Sequence, residues 1–122
     1  MDANFDPVTF AHEWAAKWGR RDYEAILTHF AEDCEFRSPL ARDVVGSPIL
    51  KGKDALRAYW ATAAGRINKI HFTVDRVAFE SNTVSVFYTA DLDGRRRRAC
   101  ESMTFGKDGL VVLGEVFYGV DL

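Results

Sequence analysis

Hydrophobic positions recur along this chain with two different periods, and the change of period divides it into two parts. In the first part the apolar residues fall three and four apart. Phe10, Ala11, Trp14, Ala15 and Trp18 form one such stripe, the repeat of one face of an α-helix. Asp6 supplies an N-cap, Pro7 the first helical position and Gly19 a stop. Asp22 caps a second helix whose stripe is Tyr23, Ile26, Leu27 and Phe30. Next, Cys34, Phe36 and Ser38 alternate with Glu35 and Arg37, which predicts a short strand ended by Pro39. Residues 40–52 hold Gly46, Pro48 and Gly52 without a clear period and predict a loop. A third helix is predicted over 54–64, with Leu56, Tyr59, Trp60 and Ala63 on its apolar side and Gly65 as its stop.

From Ile70 onward the period is two. Residues 70–80, 83–92, 96–105 and 110–119 predict four successive strands. Ser81-Asn82, Asp93-Gly94 and the residues 106–109 join them, all turn chemistry. Helices first and a meander of strands afterwards is an α+β pattern, with the helices gathered on one face of an antiparallel sheet.

A two-residue turn at Asp93-Gly94 fixes the strand pairing residue by residue. Ala90 then faces Arg97, Tyr88 faces Ala99, Val86 faces Glu101 and Val84 faces Met103. Extension through the 106–109 loop predicts Leu110 opposite Phe105, Val112 opposite Met103, Gly114 opposite Glu101 and Val116 opposite Ala99. Tyr118 falls on the same face, beside Arg97. This places one carboxylate, Glu101, on an apolar face turned toward the helices, with a glycine beside it to leave an opening. A carboxylate taken out of water loses hydration, so its charged form is disfavoured and its pKa rises toward neutrality. Such a group can exchange protons as a general acid or base. The alternative is that Arg97, a tyrosine hydroxyl or water satisfies Glu101, which then only fixes the register.

Taken together, these segments resemble the nuclear transport factor 2-like superfamily, in its SnoaL-like or ketosteroid isomerase-like branch. Residues 14–23 (WAAKWGRRDY), 30–39 (FAEDCEFRSP), 52–60 (GKDALRAYW) and 116–119 (VFYG) carry the resemblance, which spans about Phe10 to Gly119. It implies a cone-shaped fold, with N-terminal helices packed on a curved antiparallel sheet enclosing a pocket. In the steroid isomerases of this group, a helix tyrosine and a protonated aspartate form an oxyanion hole, and an aspartate before a proline is the base. By resemblance Trp14 stands at the tyrosine position, Ser38 at the base and Glu101 at the acid. Only the last keeps the chemistry, so steroid isomerisation by that route is not expected. The same matching puts Tyr59, Val86, Tyr88 and Ala90 on the pocket wall, together with Gly114, Val116 and Tyr118. Met103 belongs there by the register.

Composition narrows the rest. At 122 residues the chain fits one domain, 1–122, and its formal net charge of −2 gives a nucleic-acid partner no support. The run at residues 95–98 alternates between two faces of a hairpin end near Asp91 and Asp93, which reads as a salt-bridged rim. A second reading makes Arg97 a gate for an anionic ligand. Cys34 and Cys100 match no disulfide framework or metal spacing and read as buried thiols. Among the histidines, His12 reads as solvated and His29 as a cation at a helix C-terminus. His71 points away from the pocket unless the strand parity slips. No metal and no cofactor are expected. The opening residues MDANFDP lack the features of a signal peptide, and no apolar run reaches membrane length, which predicts a cytoplasmic protein with no membrane partner. The opposite sheet face carries Phe87, Cys100, Leu113 and Phe117 and suggests a homodimer. Two functions stay open: a small-molecule enzyme using Glu101, with a compact apolar substrate, and a ligand-binding or dimerisation module without chemistry.

Overall fold

The structure, a computed structural model, describes residues 4–122; the first three residues of the stretch read above for a leader lie outside it. Helix α1 spans Pro7–Gly19, where Asp6 caps the start by accepting from the Val8 and Thr9 backbone N–H groups. Asp22 caps α2 (Tyr23–Leu27) by the same device. The chain then enters β1 (Phe30–Arg37), so Phe30, predicted on the helical stripe, is the first residue of a strand. Helix α2 stops at Leu27, and a residue three positions on points the same buried way from either structure, so the apolar pattern does not mark the boundary.

The segment predicted as a loop is partly regular. It holds a single helical turn, α3 (Ala41–Val45), and a three-residue strand, β2 (Ile49–Lys51), which pairs antiparallel with β1. Neither has a period long enough to read. Helix α3 has no side-chain cap, and β2 is held by its partner rather than by its own sequence. Helix α4 (Lys53–Gly65) follows, and then β3 (Ile70–Glu80), β4 (Thr83–Leu92), β5 (Arg95–Phe105) and β6 (Val111–Asp121).

The six strands form one sheet in the order β2-β1-β6-β5-β4-β3, so β1 joins the meander by lying parallel to β6. The β4–β5 pairing is the predicted one throughout, with Asp93 and Gly94 at φ 57° and 88°, the positive values a two-residue hairpin turn demands. The β5–β6 pairing is not. Phe105 faces Val111, but Thr104 faces Leu113, which leaves Val112 as an extra, exposed residue. From there the register is shifted by two: Gly114 faces Met103 and Val116 faces Glu101. A shift of two keeps every side chain on its predicted face from Gly114 onward. The space beside Gly114 is also not open, because a Cβ there would come within 2.7 Å of Phe36 Cδ1, so the Phe36 ring occupies it. A further bulge on β3 leaves Asp75 unpaired between Val74 and Arg76. Bulges increase local bend and twist, which curves the sheet around α1 and α4.

The core lies between this concave face and the helices. Trp14 meets Phe72 and Tyr88, and Trp60 meets Trp18, Phe30 and Phe36 in edge-on contacts with centroids 5.1–5.4 Å apart. Among the described residues no helix is long and apolar enough to cross a membrane.

Candidate functional site

The concave face does not close completely. A cavity of about 110 Å³ remains between α4, the start of β3 and the inner faces of β4, β5 and β6. Its walls come from distant parts of the chain because the strand alternation points every second residue of each strand inward. Tyr88 of β4, Glu101 of β5 and Val116 and Tyr118 of β6 line it, as do Ser38 after β1 and Tyr59 of α4.

These residues form a polar cluster. Ser38 Oγ lies 3.4 Å from the Tyr59 hydroxyl, and both are buried. Tyr118 also interacts with Ser38, and Tyr59, Tyr88 and Tyr118 all feel the Glu101 carboxyl. Burial raises the pKa of each phenol, and the neighbouring carboxylate reinforces the shift, so all three remain neutral hydroxyls at pH 7.

Glu101 is only 4% exposed. Desolvation pushes its pKa up to about 8, and the Trp14 indole N–H offsets a part of that cost. Neither Trp14 Nε1 nor Glu101 Oε2 completes a hydrogen bond. Arg97 does not neutralise the acid. Its Nε donates to Asp121 Oδ1 at 3.0 Å, and its guanidinium lies over the Tyr118 ring, 5.3 Å from the centroid. Three arginines of the basic run are ion-paired, Arg95 also reaching Asp121 and Arg98 reaching Asp75, whereas the expected partners Asp91 and Asp93 accept from backbone N–H groups instead.

Of the residues singled out in the sequence, the structure brings Ser38, Tyr59, Tyr88, Glu101, Val116 and Tyr118 together around this cavity. Trp14, Val86, Ala90, Met103 and Gly114 are buried in the same core but do not line it. The cavity extends instead toward α4 and β3. There Trp18, Trp60, Ala64, Ile70 and Phe72 form its apolar wall, with Phe36 on the β1 side. Leu40, Ala63, Ile67 and Leu92 complete it as half-buried residues at the edge. Sequence reasoning missed this part. Ile70 and Phe72 do share a parity, but the Asp75 bulge hides the alignment that sets them beside Leu92 and Ala90.

The histidines stay outside. His71 and His12 are exposed. His29 lies past the end of α2, its Nε2 3.2 Å from Lys17 Nζ, and burial together with that ammonium lowers its pKa. The helix end therefore does not hold it as a cation. Among the described residues no three histidine, cysteine or acidic side chains converge on a point that could hold a metal ion.

A curved mixed sheet wrapped around N-terminal helices, with a cavity at its centre, is the cone of nuclear transport factor 2-like proteins. The sequence profile of the SnoaL-like domain matches residues 11–113, and the chain belongs to that family. It is similar to a SnoaL-like protein of unknown function from Burkholderia thailandensis, with 31% identity, a TM-score of 0.85, and 93% of this chain and 94% of that one covered. It shares its fold with a steroid delta-isomerase from Pseudomonas aeruginosa (21% identity, TM-score 0.71, 98% and 82% covered). It also shares it with SalBIII, an epoxide hydrolase/cyclase-like enzyme in pyran ring formation of the polyether salinomycin (19% identity, TM-score 0.72, 93% and 91% covered). No curated protein matches the chain.

Proposed function

We propose that this protein binds a compact, mostly apolar small molecule and assists its isomerisation, cyclisation or hydration without a cofactor, with Glu101 as the general acid. The observation that carries the reading is a carboxyl buried at the floor of a cavity, with no cation beside it and a pKa pushed up to about 8. At pH 7 such a group is mostly protonated, yet it is close enough to its midpoint to release and recover a proton. It donates to a carbonyl, epoxide or hydroxyl oxygen of the substrate as negative charge develops there. The hydroxyls of Tyr59, Tyr88 and Tyr118 supply further donors at the same end of the cavity.

Two observations narrow the chemistry. Ser38 stands where a second carboxylate would serve as base, so the site favours reactions in which the nucleophile is water or the substrate's own hydroxyl. Epoxide opening followed by ring closure is one, and the fold neighbour SalBIII is an epoxide hydrolase/cyclase-like enzyme with a role in pyran ring formation. The cavity volume of about 110 Å³ is smaller than the roughly 150 Å³ of a cavity that holds one benzene, which disfavours a four-ring steroid.

The second reading is a binding module without chemistry, and the absence of a base at Ser38 is what favours it. The same experiment separates the two. Wild type and Glu101→Gln are assayed against cyclic ketones, epoxides and phenols for binding and for turnover. The acid role predicts binding by both and turnover by the wild type alone, falling above about pH 8. Turnover that survives in Glu101→Gln overturns it. We place the homodimer contact on the outer sheet face, where Phe117 is 55% exposed next to Leu113 and Cys100. Phe117→Glu is then expected to sediment as a monomer.

A further inference from the structure

The cavity has two unlike ends. The floor is polar, with Glu101 and the hydroxyls of Ser38, Tyr59, Tyr88 and Tyr118 interacting as one cluster. The other end is apolar apart from one unpartnered indole N–H, that of Trp18: its walls are Trp18, Ala64, Ile67, Ile70, Phe72 and Leu92. The strand register orients these ends. Glu101 lies opposite Val86, whereas Leu92 lies six residues further along β4, paired with Ile70 and next to the exposed hairpin tip at Asp93. The half-buried residues Ala63, Ile67 and Leu92 lie on the solvent side of this end. A ligand entering between Ile67 and Leu92 therefore passes a largely apolar collar before it meets the hydroxyls and carboxyl of the floor.

The polar end is under-satisfied. Beyond the Ser38–Tyr59 contact, Glu101 Oε2 has no partner, although the residue is more than nine-tenths buried and belongs to the cavity wall. An unpaired buried polar group costs about 1–3 kcal/mol, so the molecule that fills the floor gains by presenting an oxygen to Glu101, and the phenol hydroxyls lining the same end can hold a second. The absence of a cation at the floor also argues for a neutral head rather than a carboxylate or phosphate.

Deepening the proposed function, and resting on it, we infer that the substrate is a neutral amphipathic molecule inserted head first. Its head carries adjacent oxygens, such as an α-hydroxy ketone or a hydroxy epoxide, and its short apolar tail runs out between Ile67 and Leu92. Adjacent oxygens let Glu101 hold one while Tyr59 and Tyr118 hold the other. The tail is limited by the volume: with about 110 Å³ for head and tail together, roughly four to six carbons fill the enclosed part.

The test uses α-hydroxy ketones with alkyl tails from ethyl to octyl, titrated at pH 6 and followed by tryptophan fluorescence, since Trp18 and Trp60 line the cavity. Each methylene is expected to tighten binding about fourfold, from about 0.8 kcal/mol per buried CH₂, up to about a four-carbon tail, after which the affinity levels off. Removing one oxygen from the head should cost at least tenfold at every tail length. Ile67→Asp should weaken the long-tailed members several-fold more than the ethyl member. Tyr118→Phe should weaken all members by one factor. Melting curves establish that both variants fold, and Leu92→Ser repeats the Ile67 arm at a second position. Affinity that ignores tail length, or a loss in Ile67→Asp that is equal for every member, overturns the orientation. If that happens while binding still depends on Glu101, only this inference falls. If no member binds the wild type, the proposed function falls with it.

Discussion

Two acidic side chains on neighbouring strands of one sheet meet opposite fates. Glu101, on the inner face of β5, has lost its water and gained no cation, and its pKa is pushed up to about 8. Asp121, at the end of β6, keeps its water and accepts a hydrogen bond from Arg97, which holds its pKa below the usual carboxylate range. The sheet thus carries a charged, salt-bridged rim around a neutral interior. The protonation of each acid follows from how far toward the sheet's edge it lies and from the neighbours met there, not from residue type. That contrast is what makes Glu101 a proton donor at neutral pH while Asp121 is a surface anion.

The contrast can be broken most forcefully through pH. Glu101 is protonated in the folded protein up to about pH 8, whereas in the unfolded chain it ionises near 4.5. Between those values the unfolded state binds fewer protons, so stability falls as pH rises, by an upper limit on the order of 5 kcal/mol. Below about pH 4.5 the penalty is absent. Denaturant titrations of wild type and Glu101→Gln from pH 4 to pH 9 should diverge steadily, with the variant the more stable at high pH. Parallel curves mean that the carboxyl is solvated or paired.

Gly114→Val probes the packing that keeps the interior dry. The new side chain meets the Phe36 ring at 2.7 Å and is expected to cost roughly 1–3 kcal/mol in a chemical melt. A neutral effect there means the inner face is looser than described. A smaller change is predicted for Ser38→Ala, which leaves the Tyr59 hydroxyl without its partner and should cost about 1 kcal/mol. The smallest effect falls on the rim. The stability that Asp121 contributes is present above its unfolded value of 3.8 and is lost as pH falls through its lower folded value. At pH 7 Asp121→Asn should move the melting midpoint by no more than the scatter of the measurement, because the pair is exposed and screened. A shift of several degrees would make the rim a structural clamp on Tyr118.

The interior acid was legible in the sequence because one turn decided it. Asp93-Gly94 fixes the β4–β5 register, and that register alone sets Glu101 opposite Val86 on the apolar face. The helix caps at Asp6 and Asp22 were legible for the same kind of reason, a local residue meeting a local demand. What the sequence concealed are the bulges. Val112 and Asp75 each insert a residue that no turn signal announces, so Gly114 slides to Met103, and the β3 residues that wall the cavity shift by one. Helix α3 and strand β2 are invisible for a different reason, being too short for a period and held by contacts with β1 and α4. The extent of the cavity depends on all of these, and so only its polar floor could be read in advance.

The most direct test is the titration of the Glu101 carboxyl itself, followed through its side-chain carboxyl ¹³C resonance by NMR from pH 4 to pH 10. The account predicts a midpoint near 8, well separated from those of the surface acids, with the Asp121 resonance already ionised at the start of the scan. A Glu101 midpoint in the ordinary carboxylate range, near 4.5, would contradict it and remove the basis for assigning this residue as the acid.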